Sequence, residues 1–277
     1  MSRADRLARG AKTAWIRDRR GGRGRRVAGG AVSVVPGVRA HLRRRLLVSY
    51  RLDPETARTL VPAPLRPQLV NGQALAGFCV LGLDGIRPRW VPARVGLRSE
   101  NAAHRIAVEW DDDGVVRSGV YILERHSSAW HPVLFGGRLF PGVHRRARFA
   151  TDERGDRYAM TMDAEGEHLA ADVEVGGAWA SSVFASVEEA SAFYRAGRIG
   201  WSLGHDGVTL EAVALAAEEW AVEGARIRGV RSSFFDALPD GAAELDHVVV
   251  MRDLEITMEA PITGAPTGAP TGARAAA

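Results

Sequence analysis

The stretch that most constrains the fold lies at the centre of the chain. Ile106, Val108 and Trp110 alternate with Ala107 and Glu109, the chain turns at Asp112-Asp113-Gly114, and Val115 to Leu123 runs back. A period of two is what a strand with one buried face requires, and a tight Gly-containing turn between two such runs predicts an antiparallel pair. The same signature recurs. Arg66 to Val70 and Gln73 to Leu83 flank Asn71-Gly72, two residues that accept positive φ and so favour a hairpin. Met160 and Met162 alternate with Thr161 and Asp163, and Leu169, Ala171, Val173 and Val175 alternate with His168, Asp172 and Glu174. Further strand-like pieces are Leu46 to Tyr50, Ile199 to Leu203, Val208 to Leu215, Ala225 to Val230 and Leu245 to Met258.

Helical signals are few. Asp53 can cap a short helix with Pro54 in its first turn, ended by Pro62, Pro64 and Pro67. Ser186-Val187-Glu188-Glu189 is a capping box opening a second helix through Tyr194. A helix-like segment also follows the return strand, ahead of a Gly137 to Pro141 corner. Many short strands with closely spaced turns predict a mainly β fold, a closed or nearly closed antiparallel-rich barrel, over alternating βαβ units.

Charge divides the chain. Its first 45 residues hold fourteen Lys/Arg against Asp5 and Asp18, whereas the whole carries +4, so the remainder is net acidic. Residues 1–41 read as a disordered basic arm with too little apolar patterning to fold alone. Nucleic-acid binding is not expected of it, since Trp15 is its one aromatic residue and base stacking needs more. Residues 42–259 form the folded domain, and 260–277, with repeated Pro-Thr-Gly-Ala, form a low-complexity tail. No apolar run reaches membrane-span length, and Val27 to Val38 is broken by glycines and Pro36, a poor core for an export signal. The one cysteine, Cys79, excludes an internal disulfide, reads as a buried small hydrophobe and suits a reducing, cytoplasmic setting.

Several constellations invite chemistry. Gly200-Trp201-Ser202-Leu203-Gly204 matches the nucleophile-elbow pattern of serine hydrolases, with Asp236, Asp246 and His247 downstream. That elbow needs strand, turn, helix; here His205-Asp206-Gly207 leads to another strand. His126 and His131 lack metal-ligand spacing, and His104 could meet His144 only through tertiary folding, so no metal site is expected. By periodicity alone Glu100 is a solvated rim residue, and Arg145, Arg146 and Arg148 are an exposed strand face; inside a pocket those guanidinium forks would suit a carboxylate or phosphate.

A resemblance sharpens this. Tyr50-Arg51-Leu52-Asp53, Val61-Pro62-Ala63-Pro64-Leu65, Glu100 ahead of its alternating strand, and Gly137-Arg138-Leu139 before a Pro corner resemble acetoacetate decarboxylase in order and spacing. The second half, with FYRAGRIGWS, VRSSFFDALPDGAAELD and VVMRDLEITME, is similar to the YqjF-like domain of unknown function in the same superfamily. The resemblance implies a cone-shaped antiparallel β-barrel around a small pocket, with Arg43 and Glu100 at the family's pocket arginine and glutamate. The family's adjacent lysine pair falls on Arg145 and Arg146, and a one-residue shift would bring in His144. A guanidinium stays protonated and cannot form the imine, so Schiff-base decarboxylation is not expected.

Three functional expectations are compatible with these features. In the first, Arg43, Glu100, Arg145 and Arg146 hold a small anionic metabolite, a carboxylate or keto acid, without covalent chemistry or a cofactor. In the second, the pocket is a lysine-independent acid/base enzyme of lyase or isomerase type, with Glu100 or His144 moving protons. In the third, the barrel serves assembly through its surface; a homo-oligomer is compatible with any of them.

Overall fold

The computed structural model describes residues 37–92, 96–129 and 142–259. The segment expected to be helix-like, the Gly137-Arg138-Leu139 motif, Pro141 and His131 lie wholly or largely outside the described residues, as do residues 1–36 of the arm and the C-terminal tail.

The strands are β1 (Val38–Leu52), β2 (Arg66–Pro67), β3 (Leu69–Val70), β4 (Gln73–Pro88), β5 (Leu97–Asp112), β6 (Val115–Ser127), β7 (His144–Arg146), β8 (Arg148–Arg154), β9 (Arg157–Ala164), β10 (Glu167–Val175), β11 (Ile199–Leu203), β12 (Leu210–Ala217), β13 (Glu223–Ser232) and β14 (Ala243–Glu259). The helices are α1 (Pro54–Leu60), α2 (Val187–Ala196) and the single turn α3 (Ser233–Asp236). β1 starts at Val38, so four residues placed in the basic arm by composition belong to the sheet.

The turn chemistry acts as its residues require. Asn71 and Gly72 take φ of 51° and 78° between β3 and β4, and Asp113 and Gly114 take 48° and 82° between β5 and β6. Asp53 caps α1 by accepting from the Thr56 N–H at 2.7 Å. Ser186 Oγ accepts from Glu189 N–H, and the Glu189 carboxylate reaches back to Ala185 N–H at 2.7 Å.

The main sheet closes on itself. β1 pairs antiparallel with β4 on one edge and with β14 on the other. The path β4-β5-β6-β11-β12-β14 returns to β1, giving a ring of seven strands; its one parallel junction is between β6 and β11. From β14 the sheet continues through β13, β10, β9 and β8 as a second layer.

Two apolar clusters occupy the two faces of the ring strands. On one, Leu46, Val48, Phe78, Ile106 and Val248 pack with Met160, Met162, Leu169 and Val173 of the second layer. On the other, Leu42, Leu47, Cys79, Ala103, Met251 and Ile256 gather with Tyr194 and Ala190 of α2. Burying two faces explains why β4 reads as a nearly continuous apolar run rather than an alternating one.

Candidate functional site

Alternation along β5 sends Ser99, Asn101, Ala103 and Arg105 to the ring's interior, where they line a cavity of about 150 Å³. Arg45 and Leu47 of β1, Cys79 and Leu81 of β4, Ile122 and Arg125 of β6, Gly200 of β11, Val213 of β12 and Met258 of β14 line it too. Every strand of the ring therefore contributes. Tyr194, from the last turn of α2, His126, from β6, His144, from β7, and Arg198, just ahead of β11, add to the polar lining. An apolar cavity of this volume has room for a molecule the size of benzene.

Four arginines line it, the exposed Arg198 and three less exposed guanidinium groups that dominate its electrostatics. Arg105 is buried; Arg45 and Arg125 are half-buried. None of the three forms an ion pair among the described residues, and the Nε atoms of Arg45 and Arg105 have no hydrogen-bond partner. Arg105 lies over the Tyr194 ring, 5.0 Å from its centroid. Arg125 donates from Nε and Nη2 to Ser202 Oγ at 3.2 and 3.0 Å. Burial lowers the Arg45 pKa, with Arg105 adding to the shift by like-charge repulsion, while Cys79 opposes it. Burial brings Arg125 down to about 10, so it remains charged at neutral pH. Burial, then the Arg125 charge, push His144 down to about 3, leaving a neutral imidazole facing a cationic wall.

A buried hydrogen-bond chain ends on the cavity. His247 Nδ1 lies 2.7 Å from Asp246 Oδ2, and His247 Nε2 lies 2.6 Å from the Tyr194 hydroxyl, which is 2.6 Å from Ser49 Oγ. Asp246 accepts from Nδ1, so Nε2 is the acceptor and the phenol donates to it. Burial opposes ionisation of Asp246, but hydrogen bonds from His247, Ser181 and Ser182 outweigh it and hold the carboxyl below the usual range. Burial pushes the Tyr194 phenol up.

The residues expected from sequence are distributed differently. Glu100 points to the opposite face of β5, accepting from Arg43 Nη2 and Arg44 Nη2 at 2.6 Å each, and neither Glu100 nor Arg43 lines the cavity. Arg43 also reaches Asp84, and Glu153 of β8 lies 3.0 Å from Arg44 Nη1. Arg145 and Arg146 are exposed on β7, away from this lining. Of the expected set His144 alone faces the cavity. Ser202 sits in mid-strand bonded to Arg125, while His247 and Asp246 serve Tyr194 and Ser181, so the hydrolase triad does not assemble. His104 meets Glu124 and Glu167 rather than His144. Sequence reasoning passed over Arg45, Arg105, Arg125 and Tyr194; the available signal was a basic residue interrupting an apolar strand face.

The DUF2071 profile, described as an uncharacterized conserved protein, matches residues 39–241. The chain belongs to the DUF2071 family. Acetoacetate decarboxylase from Legionella pneumophila superposes with a TM-score of 0.56 at 11% identity, covering 91% of this chain and 96% of that one. A second acetoacetate decarboxylase gives 0.54 at 16%, covering 84% and 91%. The enduracididine biosynthesis enzyme MppR complexed with pyruvate gives 0.52 at 14%, covering 87% and 94%. At these identities the likeness is one of fold: this DUF2071 chain has the acetoacetate decarboxylase-like fold. No curated protein matches its sequence. Among the described residues no helix is long and apolar enough to cross a membrane.

Proposed function

We propose that this DUF2071 protein binds a small anionic metabolite, a carboxylate or keto acid, inside the seven-strand ring without covalent chemistry. The observation that carries this reading is the convergence of Arg45, Arg105 and Arg125 on one cavity with no ion-pair partner among the described residues. Enclosed charges of one sign are costly unless a counter-charge arrives, and a planar carboxylate matches the guanidinium fork. The apolar lining from Leu42, Leu47, Ile122, Val213 and Met258 suits a short carbon skeleton. Pyruvate in complex with MppR belongs to that protein and sets the size class to try first. The described residues include no lysine, so they supply no amine for a Schiff-base route. A cytoplasmic setting, where such acids are abundant, is part of the proposal.

Thermal melts with a panel of small carboxylates and 2-keto acids test it. At least one should raise the melting temperature of the wild-type chain and fail to raise that of R105M. A panel without a stabilising acid rejects the proposal.

A second reading, lysine-independent acid/base chemistry, is favoured by the Asp246-His247-Tyr194 chain. The phenol proton can pass to His247 Nε2, leaving an oxygen close to Arg105 to take a proton from a bound acid. Exchange of the ligand's α-protons in deuterated water, followed by NMR, should be abolished in Y194F with binding retained. Equal exchange with and without protein would remove this reading and leave binding alone.

A further inference from the structure

Between the ring and β10, His104, Glu124 and Glu167 form a cluster that has no part in the proposed anion site, and His126, which also lines the cavity, stands beside it. His104 of β5 and Glu124 of β6 face each other across the strand pair, and Glu167 approaches from the first residue of β10. One ligating atom from each lies within 4.8 Å of the others. His126, two residues along β6 from Glu124, brings Nε2 to 3.5 Å from Glu167 Oε2. His104 and His126 are each 1% exposed and Glu124 6%, while Glu167 is half-buried, so the cluster lies largely out of solvent between ring and second layer.

The imidazoles are incompletely bonded. Neither ring nitrogen of His126 has a hydrogen-bond partner, nor does His104 Nδ1. His104 Nε2 lies 3.2 Å from Ser232 Oγ. In the tautomer that donates from Nε2 to that hydroxyl, the Nδ1 lone pair is left to ligate, as with metal-bound histidines held by an outer partner. Imidazole nitrogens facing two carboxyl groups in a largely buried site make the donor set of a bound cation.

We propose that His104, Glu124 and Glu167, with His126 beside them, bind one divalent transition-metal ion of the zinc class. Two imidazole nitrogens and two carboxylate oxygens match its preferred ligands. The ion would tie β5 and β6 of the ring to β10, and Ser232 at the end of β13 would orient one ligand, so its role is to lock the two layers together.

The test uses the full chain stripped with chelator, dialysed against zinc and analysed for bound metal. The wild-type chain should retain one zinc and melt at a higher temperature than the stripped form, and E167Q should lose both effects while keeping its circular dichroism. Failure of wild type to retain zinc, or equal retention by E167Q, overturns the proposal; the latter would place zinc at surface histidines such as His41 or His168. Should E167Q not fold, anomalous diffraction at the zinc edge from wild-type crystals decides. A peak within bonding distance of His104 and Glu124 supports the site, and its absence refutes it. Arg105, on the other face of β5, is no ligand of the ion, so loss of zinc and loss of anion binding are separable.

Discussion

Glu100 and Arg105 stand five residues apart on one strand and face opposite sides of it. Glu100 lies between Arg43 and Arg44, and Arg44 is wholly buried. Its replacement by Gln leaves Arg44 with a weaker counter-charge, and breaking a buried ion pair costs on the order of 3 kcal/mol. Urea unfolding of E100Q should show that loss, while the variant still binds whichever acid stabilises wild type. His144 gives a different signature. Its folded-state pKa is about 3 against an ordinary value of 6.5, so between those values the unfolded chain takes up a proton that the folded chain refuses. Its contribution to stability is fully present above that window and falls as pH drops through it, by at most about 1.4 kcal/mol per pH unit. Urea midpoints from pH 4 to 7 should accordingly fall less steeply in H144Q than in wild type.

The strands themselves decided how much was legible. Alternation and turn residues predicted the β5-β6 and β3-β4 hairpins, because both rest on local chemistry: period-two burial and residues that accept positive φ. The faces were harder. The β1-β4 register shifts between Leu42 and Arg44, so one residue is inserted and Leu42 shares a face with Arg45 and Leu47 rather than with Arg44. A second shift, between His104 and Arg105 against Glu124 and Ile122, lets both Ile122 and Arg125 face the cavity. Each bulge inverts the phase of the residues beyond it, which no period count can reveal. Arg43 and Glu100 entered through the family resemblance, whereas Arg45, Arg105 and Arg125 escaped a reading that followed period alone. Close approach of β4 to β1 near the shift at Ser49 also explains Gly77, where a Cβ would stand 2.0 Å from the Val48 carbonyl oxygen. G77A should therefore destabilise by about 1 to 3 kcal/mol, an overpacking cost readable as a lower urea midpoint.

Closure of seven strands creates the interior that makes the arginines costly and therefore informative. The same ring presents its other face to β9 and β10, so one sheet serves two layers: arginines inside, and His104, Glu124 and Glu167 outside, with His126 bordering both. None of these groupings is adjacent in sequence; the family resemblance implied a barrel with a pocket but pointed to Arg43, Glu100, Arg145 and Arg146, none of which lines the cavity. The central claim is that the interior arginines hold a small carboxylate. Isothermal titration of the stabilising acid into wild type, R45M, R105M and E100Q measures it directly. Wild type and E100Q should show saturable binding, weakened at least tenfold in R45M and R105M. Undiminished binding in both arginine variants, with loss in E100Q, would contradict the claim and move the site to the other face of β5.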